Sequence, residues 1–288
     1  MFGKTEGSIQ EPPRRLRQLS ARDFGRFSEL IHGQCGIKMP PSKKTMLEAR
    51  LHKRLRALSM SEFDQYCAYL FSDEGLATEL PHLLDVVTTN TTDFFREPRH
   101  FEFLTGSLVP RWQSGNQNRP MALWSAGCST GEEPYTLAMV LSEFQRHAQD
   151  FRFSILATDL STRVLEHAAR AVYAEDKLDK VPKHLQRIYF LRSKDRGRHL
   201  VRVVPELRGL VSFRRLNFME EFGFREQMDV IFCRNVMIYF DRPTQARLLG
   251  KFCNHLRQGG HIFIGHSESL TGMRLPLRQL APTIYERI

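Results

Sequence analysis

The spacing of apolar residues along the chain changes near residue 121. From Ser20 to about Asn90 apolar positions recur every three or four residues in short runs, which is the spacing of amphipathic helices. Ser20, Ser42 and Ser61 stand where such helices would begin, because a serine side chain can cap the first backbone N–H groups. The pattern predicts an all-helical N-terminal domain over residues 19–90, followed by a linker and connecting helix over 91–120.

After residue 121 short apolar runs alternate with helical stretches, which is typical of a doubly wound, mostly parallel sheet. We therefore expect an α/β domain of the Rossmann-like type over residues 121–288. The predicted strands are Met121–Ser125, Phe153–Thr158, Val211–Leu216, Val230–Cys233 and His261–Gly265. The predicted helices are Glu133–Gln145, Ser161–Ala171 and Pro243–Leu256.

A segment at about residues 173–208 interrupts this alternation. Ile188–Leu191 and Leu200–Val204 have the composition of strands, and the polar stretch Ser193–Arg198 between them is typical of a turn. We expect a small antiparallel β-subdomain inserted in the sheet domain. Inserted subdomains commonly take part in recognition, so this one is a candidate binding surface.

Composition bounds the class of protein. The 288 residues are 41% apolar and 26% charged, which is the balance of a globular protein with a large core. The longest apolar runs are shorter than a membrane span, and Met1–Glu6 lacks the apolar region of a signal peptide. We expect a cytoplasmic protein without membrane insertion, with residues 1–18 as a flexible basic leader.

Charge and cysteine spacing narrow the candidates further. The five cysteines are widely spaced and contain no Cys-x-x-Cys pair, so we expect neither a zinc site nor a disulfide framework, and no metal. The formal net charge of +10 favours an acidic partner. A nucleic acid, a membrane surface and an acidic protein all remain compatible with that charge.

The segment Leu123–Tyr135 predicts a ligand pocket at the carboxyl end of a buried strand. It consists of an apolar strand, a turn with Gly127 and Gly131, and two acids, Glu132 and Glu133, that open a helix. Glycines allow a close backbone approach to a ligand, because they carry no Cβ. The alternative is that the acids only cap the helix and the glycines only turn the chain.

The two acids indicate which class of ligand the pocket takes. A helix N-terminus attracts anions, but the negative charge of Glu132 and Glu133 would repel a pyrophosphate. A cationic ligand with ribose hydroxyls that donate to a carboxylate fits better. S-adenosylmethionine has these groups, so it is the ligand that this segment favours.

Polar residues follow two further strands. Asp159 ends the second strand, where an acid can accept hydrogen bonds from ribose hydroxyls; alternatively, it caps the helix that starts near Ser161. Arg234 and Asn235 directly follow the predicted strand Val230–Cys233, and Tyr239 lies four residues after Asn235. We take these as site candidates, with a surface salt bridge as the alternative for Arg234 and an ordinary half-buried aromatic as the alternative for Tyr239.

The junction between the two predicted domains carries Asn90, Thr92 and Arg96 beside an apolar pair of phenylalanines. Clefts between domains are common places for small-molecule sites. The rigid apolar pair would hold the polar groups in fixed positions, and the planar guanidinium of Arg96 could orient a substrate carboxylate.

These segments together resemble a known family, the chemotaxis receptor glutamate O-methyltransferases of the CheR type. The resemblance rests on Asn90–Glu97, Trp124–Tyr135, Ala157–Asp159 and Phe232–Asp241, which occur in the family's order, and it extends from about Ser20 to Ile288. It implies an all-α domain and a Rossmann-like S-adenosylmethionine-dependent methyltransferase domain with an inserted antiparallel β-subdomain.

The resemblance also implies the reaction. S-adenosylmethionine would donate its methyl group to glutamate side chains on the cytoplasmic region of chemoreceptors, giving glutamyl methyl esters and S-adenosylhomocysteine for chemotactic adaptation. A glutamate with a pKa near ~4.3 is already ionised at neutral pH, so this displacement requires alignment and no general base. Arg96 and Tyr239 are the candidates for orienting the carboxylate.

By resemblance, most of the remaining candidates form the cofactor site. The implied cofactor-binding residues are Asn90, Thr92, Arg96, Glu132, Asp159, Asn217, Phe218, Arg234 and Asn235, with Tyr239 near the transferred methyl group.

Two surfaces would recognise the receptor. Lys53, Arg54 and Arg56 lie on the second predicted helix and would steer the acidic cytoplasmic helical bundle of the receptor toward the pocket. In some family members the β-subdomain binds a receptor C-terminal peptide through a glycine-rich turn. Here that turn has one glycine, Gly197, and edge-strand addition tolerates such changes, so peptide binding stays open.

Three other functions are each compatible with part of the sequence. An RNA methyltransferase accounts for the charge, but no Asn/Asp-Pro-Pro-Tyr-like turn follows the Val230 strand, and we expect no nucleic-acid partner. An NAD-dependent oxidoreductase is disfavoured because the first turn lacks Gly-x-Gly-x-x-Gly. The main alternative is a non-catalytic S-adenosylmethionine-binding adaptor or sensor of a receptor array.

Overall fold

The computed structural model describes residues 18–115 and 119–288, so all but the last residue of the predicted basic leader lies outside the described residues. The chain divides into two compact units. The first contains residues up to Glu29 and Met39–Val87, and the second contains Leu30–Lys38 and Thr88–Ile288. Within the described ranges no helix has both the length and the apolar character needed to cross a membrane.

Helices build the first unit, as the apolar spacing predicts. They are α1 (Ala21–Cys35), α2 (Lys44–Ala57), α3 (Phe63–Leu70), α4 (Asp73–Thr78) and α5 (Leu80–Val87), and the last turns of α1 belong to the second unit. Ser20 caps α1 by accepting a hydrogen bond from the Asp23 N–H at 3.0 Å. Gly36, with φ of +74°, follows the end of the helix, a left-handed conformation that glycine adopts without strain.

A buried carboxylate organises the first unit. Glu79 is 2% exposed and accepts two hydrogen bonds of 2.7 Å from the Arg54 guanidinium and one of 2.9 Å from the Tyr66 hydroxyl. Arg54 therefore binds inside the unit, which differs from its predicted role in receptor docking. The run of basic residues on α2 gave no sign of this, because the partner lies 25 positions away in the sequence.

The second unit contains a mixed sheet. Its strand order within the described residues is β6-β2-β1-β7-β8-β10-β9; the first five strands are parallel, and β10 runs antiparallel to both of its neighbours, β8 and β9. The bounds are β1 (Met121–Ala126), β2 (Phe153–Asp159), β6 (Val211–Arg215), β7 (Met228–Cys233), β8 (Leu256–Ile264), β9 (Leu277–Ala281) and β10 (Ile284–Arg287). This confirms the predicted Rossmann-like class, and the order reverses between β1 and β7, where such sheets form ligand crevices.

Helices and loops cover both faces of this sheet. The helices are α6 (Arg99–Phe103), α7 (Val109–Gly115), α8 (Glu132–His147), α9 (Thr162–Arg170), α10 (Lys183–Tyr189), α11 (Pro205–Arg208) and α12 (Arg242–His255). Neighbouring residues of β1 face opposite cores: Leu123 packs with Phe232 and Phe263, whereas Trp124 packs with Ile231 and Phe252. β1 is thus a fully buried strand, which explains its unbroken apolar run.

The predicted β-subdomain is a small antiparallel sheet of order β3-β5-β4. Its strands are β3 (Val172–Ala174), β4 (Phe190–Arg192) and β5 (Leu200–Val203), so the predicted hairpin gains a further strand. Ile188 and Tyr189 belong to α10 rather than to a strand. Leu185 and Tyr189 are both buried at a spacing of four residues, which suits a helix.

Replacing Glu79 with alanine should destabilise the first unit. The change leaves Arg54 and Tyr66 without their buried acceptor, so we expect the free energy of unfolding to fall by about 3 kcal/mol. Chemical denaturation followed by circular dichroism measures this loss. Glu74→Ala, on the exposed surface of α4, is the matched control and should change stability little; equal losses in both variants would contradict a structural role for Glu79.

Candidate active site

A cleft in the second unit lies where β1, β2 and β7 end. Thr88, Gly127, Ser129, Leu160 and Val236 form part of its wall. The predicted site residues that line it are Asn90, Thr92, Arg96, Asp159, Asn217, Phe218, Arg234, Asn235 and Tyr239. The fold thus brings together residues that are up to 149 positions apart in the sequence, at the edge where the strand order reverses.

The turn after β1 is shaped by its glycines. Gly127 has φ of +85°, and a Cβ there would lie 2.4 Å from Cγ2 of Val236. Gly131 has φ of +98° and precedes the first residue of α8, and a Cβ there would lie 2.8 Å from the Cβ of Ala168. Glycine is therefore required at both positions by backbone conformation and by close packing.

Asp159 ties the ends of β1 and β2 together. Its Oδ2 accepts a hydrogen bond from the Ser129 N–H at 2.8 Å, and its Oδ1 accepts one from the Ser161 N–H at 3.0 Å. The cap of α9 is Ser161, whose hydroxyl accepts from the Val164 N–H. Asp159 is therefore a buried cleft residue, and the alternative that it caps the helix does not describe its position.

Glu133 and Arg234 form a buried ion pair in the cleft wall. The Arg234 Nε donates to Glu133 Oε2 at 2.7 Å, and the Ser125 hydroxyl donates to Glu133 Oε1 at 2.6 Å. Arg234 also donates to the backbone carbonyl of Arg96 at 2.6 Å. The Arg234 side chain is only 3% exposed, so this salt bridge is internal rather than on the surface.

The structure places Glu133 in the cleft lining, whereas the family resemblance implied Glu132 and the sequence pattern itself left both acids as candidates. Among the described residues Glu132 is not part of the lining; its carboxylate accepts a hydrogen bond from the Thr130 hydroxyl at 2.6 Å, and burial raises its pKa. Consecutive helical residues point about 100° apart, so only one of two adjacent acids can face the cleft. A pattern of sequence letters does not reveal which one.

The positive charge of Arg234 also lies beside a group of side chains that could otherwise bind a metal ion. Glu97, His100 and His266 present ligand atoms within 4.8 Å of one another. However, the Arg234 guanidinium lies 3.5 Å from Glu97 Oε2 and 3.3 Å from His100 Nδ1, which places a fixed cation against the cluster. Burial, with the charge of Arg234, lowers the pKa of His100 to about 3, so this imidazole is neutral.

The segment between Asn90 and Arg96 forms a second wall. The Asn90 carbonyl accepts a hydrogen bond from the Ser129 hydroxyl at 2.8 Å, and the Arg96 guanidinium donates to the Thr91 carbonyl at 3.1 Å. Phe94 is fully buried and contacts Tyr173 and Phe190 edge-on. This phenylalanine fixes the segment, as the sequence predicts.

The last residue of α1 and the residues that follow it complete the cleft. Cys35 and Ile37 line it, the Lys38 N–H donates to the Tyr239 carbonyl at 2.9 Å, and the Asn217 side chain donates to the Gln34 carbonyl at 2.7 Å. Cys35 and Ile37 were not predicted as cleft residues, because their apolar side chains resemble those of ordinary core positions. Backbone hydrogen bonds help to bring this segment to the cleft, and such bonds do not depend on residue type, so the sequence does not show them.

Comparison with known sequences identifies the family. The profile described as "CheR methyltransferase, SAM binding domain" matches residues 90–285, and "CheR methyltransferase, all-alpha domain" matches residues 22–88. The chain belongs to the CheR methyltransferase family. This confirms the resemblance seen in the four sequence segments and the order of the two parts.

Similar proteins support the assignment over nearly the whole length. The chain is 37% identical to "Chemotaxis protein methyltransferase" of Borreliella burgdorferi over 92% of this chain and 94% of the relative. It is 39% identical to "Chemotaxis protein methyltransferase 2" of Pseudomonas aeruginosa over 91% of this chain and 92% of the relative. Among solved structures, the glycopeptide N-methyltransferase MtfA complexed with sinefungin matches 66% of this chain and 57% of that chain, with a TM-score of 0.37 and 13% identity.

As a CheR methyltransferase, the chain uses S-adenosylmethionine to methylate glutamate side chains of chemoreceptors. The cleft fits this cofactor. Asp159 offers buried carboxylate oxygens at the end of β2, Gly127 keeps the turn after β1 free of a side chain, and Asn90 and Asn217 supply amides. A carboxylate accepts hydrogen bonds from hydroxyls, which matches a ribose.

Glutamine replacements of the adjacent acids should separate their roles. In Glu133→Gln the Arg234 guanidinium loses its nearest carboxylate, so we expect the dissociation constant for S-adenosylhomocysteine to rise about 10-fold, equivalent to one charged hydrogen bond. In Glu132→Gln, which keeps the shape of a residue outside the lining, we expect a change below about 2-fold. Titration calorimetry measures both constants, and equal losses would contradict the placement of Glu133 in the cleft.

Proposed function

We propose that Arg96 and Tyr239 align a glutamate carboxylate of the receptor with the methyl group of bound S-adenosylmethionine. The observation that carries this proposal is their position: both line the same cleft as Asp159, Glu133 and Asn235. The cofactor supplies an electrophilic methyl group bound to a sulfonium. The product is a glutamyl methyl ester, and S-adenosylhomocysteine leaves.

The remaining cleft residues suit the cofactor side of the site. We assign Asp159 to the ribose hydroxyls, because its carboxylate is held by the backbone of Ser129 and Ser161 at the end of β2. Asn90, Thr92, Asn217, Phe218 and Asn235 lie around the same cleft and would contact the rest of the molecule. The ion pair of Arg234 with Glu133 forms part of the same cleft wall and links the segments that follow β1 and β7.

The chemistry asks these residues to position groups rather than to move protons. A glutamate carboxylate is ionised at neutral pH, so its oxygen can attack the methyl group directly. Arg96 is half-buried and donates to the Thr91 carbonyl, which restrains its guanidinium at the cleft. A restrained cation can orient a carboxylate at little entropic cost.

Removing either orienting group should slow methyl transfer. For Tyr239→Phe and Arg96→Ala we expect kcat to fall about 10- to 100-fold, since misalignment of the reacting atoms is costly. Transfer of radiolabelled methyl to chemoreceptor-containing membranes, with base-labile release of methanol, measures the rate and identifies a carboxyl ester.

Matched controls exist for both changes. Tyr69→Phe removes a phenol from α3 in the first unit, and Arg99→Ala removes an exposed neighbouring guanidinium; both should retain activity. Full activity in Tyr239→Phe and Arg96→Ala would refute the proposed alignment. Binding of S-adenosylhomocysteine without any methyl transfer by the unaltered protein would instead support the adaptor function.

Receptor docking is proposed for the exposed cations of α2. Lys53 and Arg56 are exposed, whereas Arg54 is engaged by Glu79. The docking surface that we propose therefore consists of Lys53 and Arg56. Their charges would attract the acidic helical bundle of the receptor's cytoplasmic region through long-range electrostatics. With this role we propose that the chain acts in the cytoplasm.

The β-subdomain offers a further receptor contact. β4 forms one edge of the small sheet, and its Leu191 is 53% exposed. An exposed edge can accept an extended peptide as an added strand, and Arg192 and Lys194 nearby would favour a terminal carboxylate. We propose that a receptor C-terminal peptide binds there.

Charge reversal on α2 should weaken the encounter with the receptor. For the double variant Lys53→Glu and Arg56→Glu we expect kcat/KM for receptor to fall about 10-fold at low salt, and the deficit should shrink as salt screens the charges. The affinity for S-adenosylhomocysteine should not change. The control is Arg152→Glu with Arg163→Glu, two exposed cations of the second unit that give the same change in net charge; an equal loss there would argue against a specific docking surface.

A further inference from the structure

The loop after β7 carries much of the cleft, yet its own conformation is unfavourable. It runs from Arg234 to Tyr239, and Asn235 has φ of +58°, in the left-handed region. Asn235, Val236, Ile238 and Tyr239 of this loop line the cleft. A loop that holds a strained residue at an active site requires neighbours that determine its shape.

Glu268 supplies that support. It follows β8, and its Oε1 accepts hydrogen bonds from the backbone N–H groups of Met237 at 2.7 Å and Ile238 at 3.2 Å. Its Oε2 accepts from the N–H groups of Asn235 at 3.1 Å and Gly265 at 2.6 Å. One carboxylate therefore binds the backbone on both sides of Val236 and joins it to the end of β8.

Packing around this carboxylate leaves the loop little freedom. Glu268 is 8% exposed, and a Cβ on Gly265 would lie 2.5 Å from Nδ2 of Asn235. Burial raises the pKa of Glu268, while the backbone N–H groups lower it. A buried carboxylate is costly unless it is hydrogen-bonded, so the loop and the carboxylate stabilise each other only in this arrangement.

We propose that Glu268 is a positioning residue for methyl transfer, which holds the backbone of Asn235–Ile238 and thereby the Tyr239 side chain in the geometry that the reaction needs. The proposal rests on the proposed role of Tyr239. Glu268 does not line the cleft within the described residues. In this proposal it therefore acts through the loop that it holds and not by touching substrate.

An amide of the same shape is the sharpest test. In Glu268→Gln one oxygen becomes an NH2 group, and in either orientation it meets backbone N–H groups that need an acceptor. The loop must then shift. We expect kcat to fall about 10- to 100-fold, as a displacement near 1 Å can cause, with a smaller change in the dissociation constant for S-adenosylhomocysteine.

Asp229→Asn is the matched control. Asp229 is 5% exposed, accepts a hydrogen bond from the Ala122 N–H at 2.9 Å and binds Arg119, but it lies at the opposite end of β7 from the cleft. We expect this variant to lower the melting temperature at least as much as Glu268→Gln while kcat stays within about 2-fold of the unaltered protein. Both variants are assayed at a temperature at which circular dichroism shows them folded.

The outcomes test the positioning role of Glu268 and the orienting role of Tyr239 separately. Unaltered kcat in Glu268→Gln, or equal kcat losses in Glu268→Gln and Asp229→Asn, would overturn the positioning role. Unaltered kcat in Tyr239→Phe would overturn the role of Tyr239 without affecting the first comparison. If both single variants are slow, the double variant should be less than about 3-fold slower than the worse one, because residues acting as a unit are not additive; a fully multiplicative loss would show that Glu268 does not act through Tyr239.

Discussion

The buried ion pair between Glu133 and Arg234 is the interaction on which the cleft depends. Glu133 lies in the first turn of α8, after the glycine-bearing turn that follows β1, and Arg234 directly follows β7, so the pair joins the ends of the two strands between which the sheet order reverses. Burying two charges is costly, and removing one partner leaves the other uncompensated. Here the cost is offset by the Ser125 hydroxyl, the Arg96 carbonyl and the aromatic faces of Phe101 and Phe232 near the guanidinium. The pair therefore also fixes the segment that carries Arg96.

Backbone strain occurs at several positions around the cleft, and Ser59, Ala171, His199 and Thr283 also have positive φ elsewhere in the described residues. Phe95, Glu97, Ser129 and Asn235 all have φ near +50° to +58°, and they lie on the segments that surround the cleft. A non-glycine residue in the left-handed region costs about 1 kcal/mol or more and persists only where its surroundings determine it. Glu133, Asp159 and Glu268 provide that determination, since each is a buried acid with hydrogen bonds to more than one segment.

The sequence could predict the elements that rest on strong local patterns. Apolar runs revealed β1, β2, β6, β7 and β8, and polar residues at the ends of β2 and β7 revealed Asp159, Arg234 and Asn235. The junction segment added Asn90, Thr92 and Arg96, whereas Asn217 and Phe218 came only from the family resemblance. It could not predict β9, where Arg278, Gln279 and Leu280 are exposed and the apolar pattern is weak. It also could not choose between adjacent acids in α8 or find that Arg54 binds Glu79, because these depend on side-chain direction and on partners distant in sequence. The predicted start of the first strand in the β-subdomain was wrong for a related reason. Ile188 and Tyr189 have the composition of a strand, but their packing places them in a helix.

The reaction explains why the site is built from rigid supports. A carboxylate that is already ionised needs no proton acceptor, so no catalytic acid or base has to be tuned, and the protein contributes mainly by holding two reactants in line. In such a site the largest gains come from fixed geometry, which explains why buried acids are bonded to backbone N–H groups rather than directed at the substrate. Glu268 and Asp159 both follow this logic: each uses its charge to hold a loop by its backbone N–H groups, and those loops carry residues that line the cleft. In the docking that we propose, the exposed cations of α2 would act at another stage, before the reactants are aligned, by raising the rate at which an acidic partner arrives.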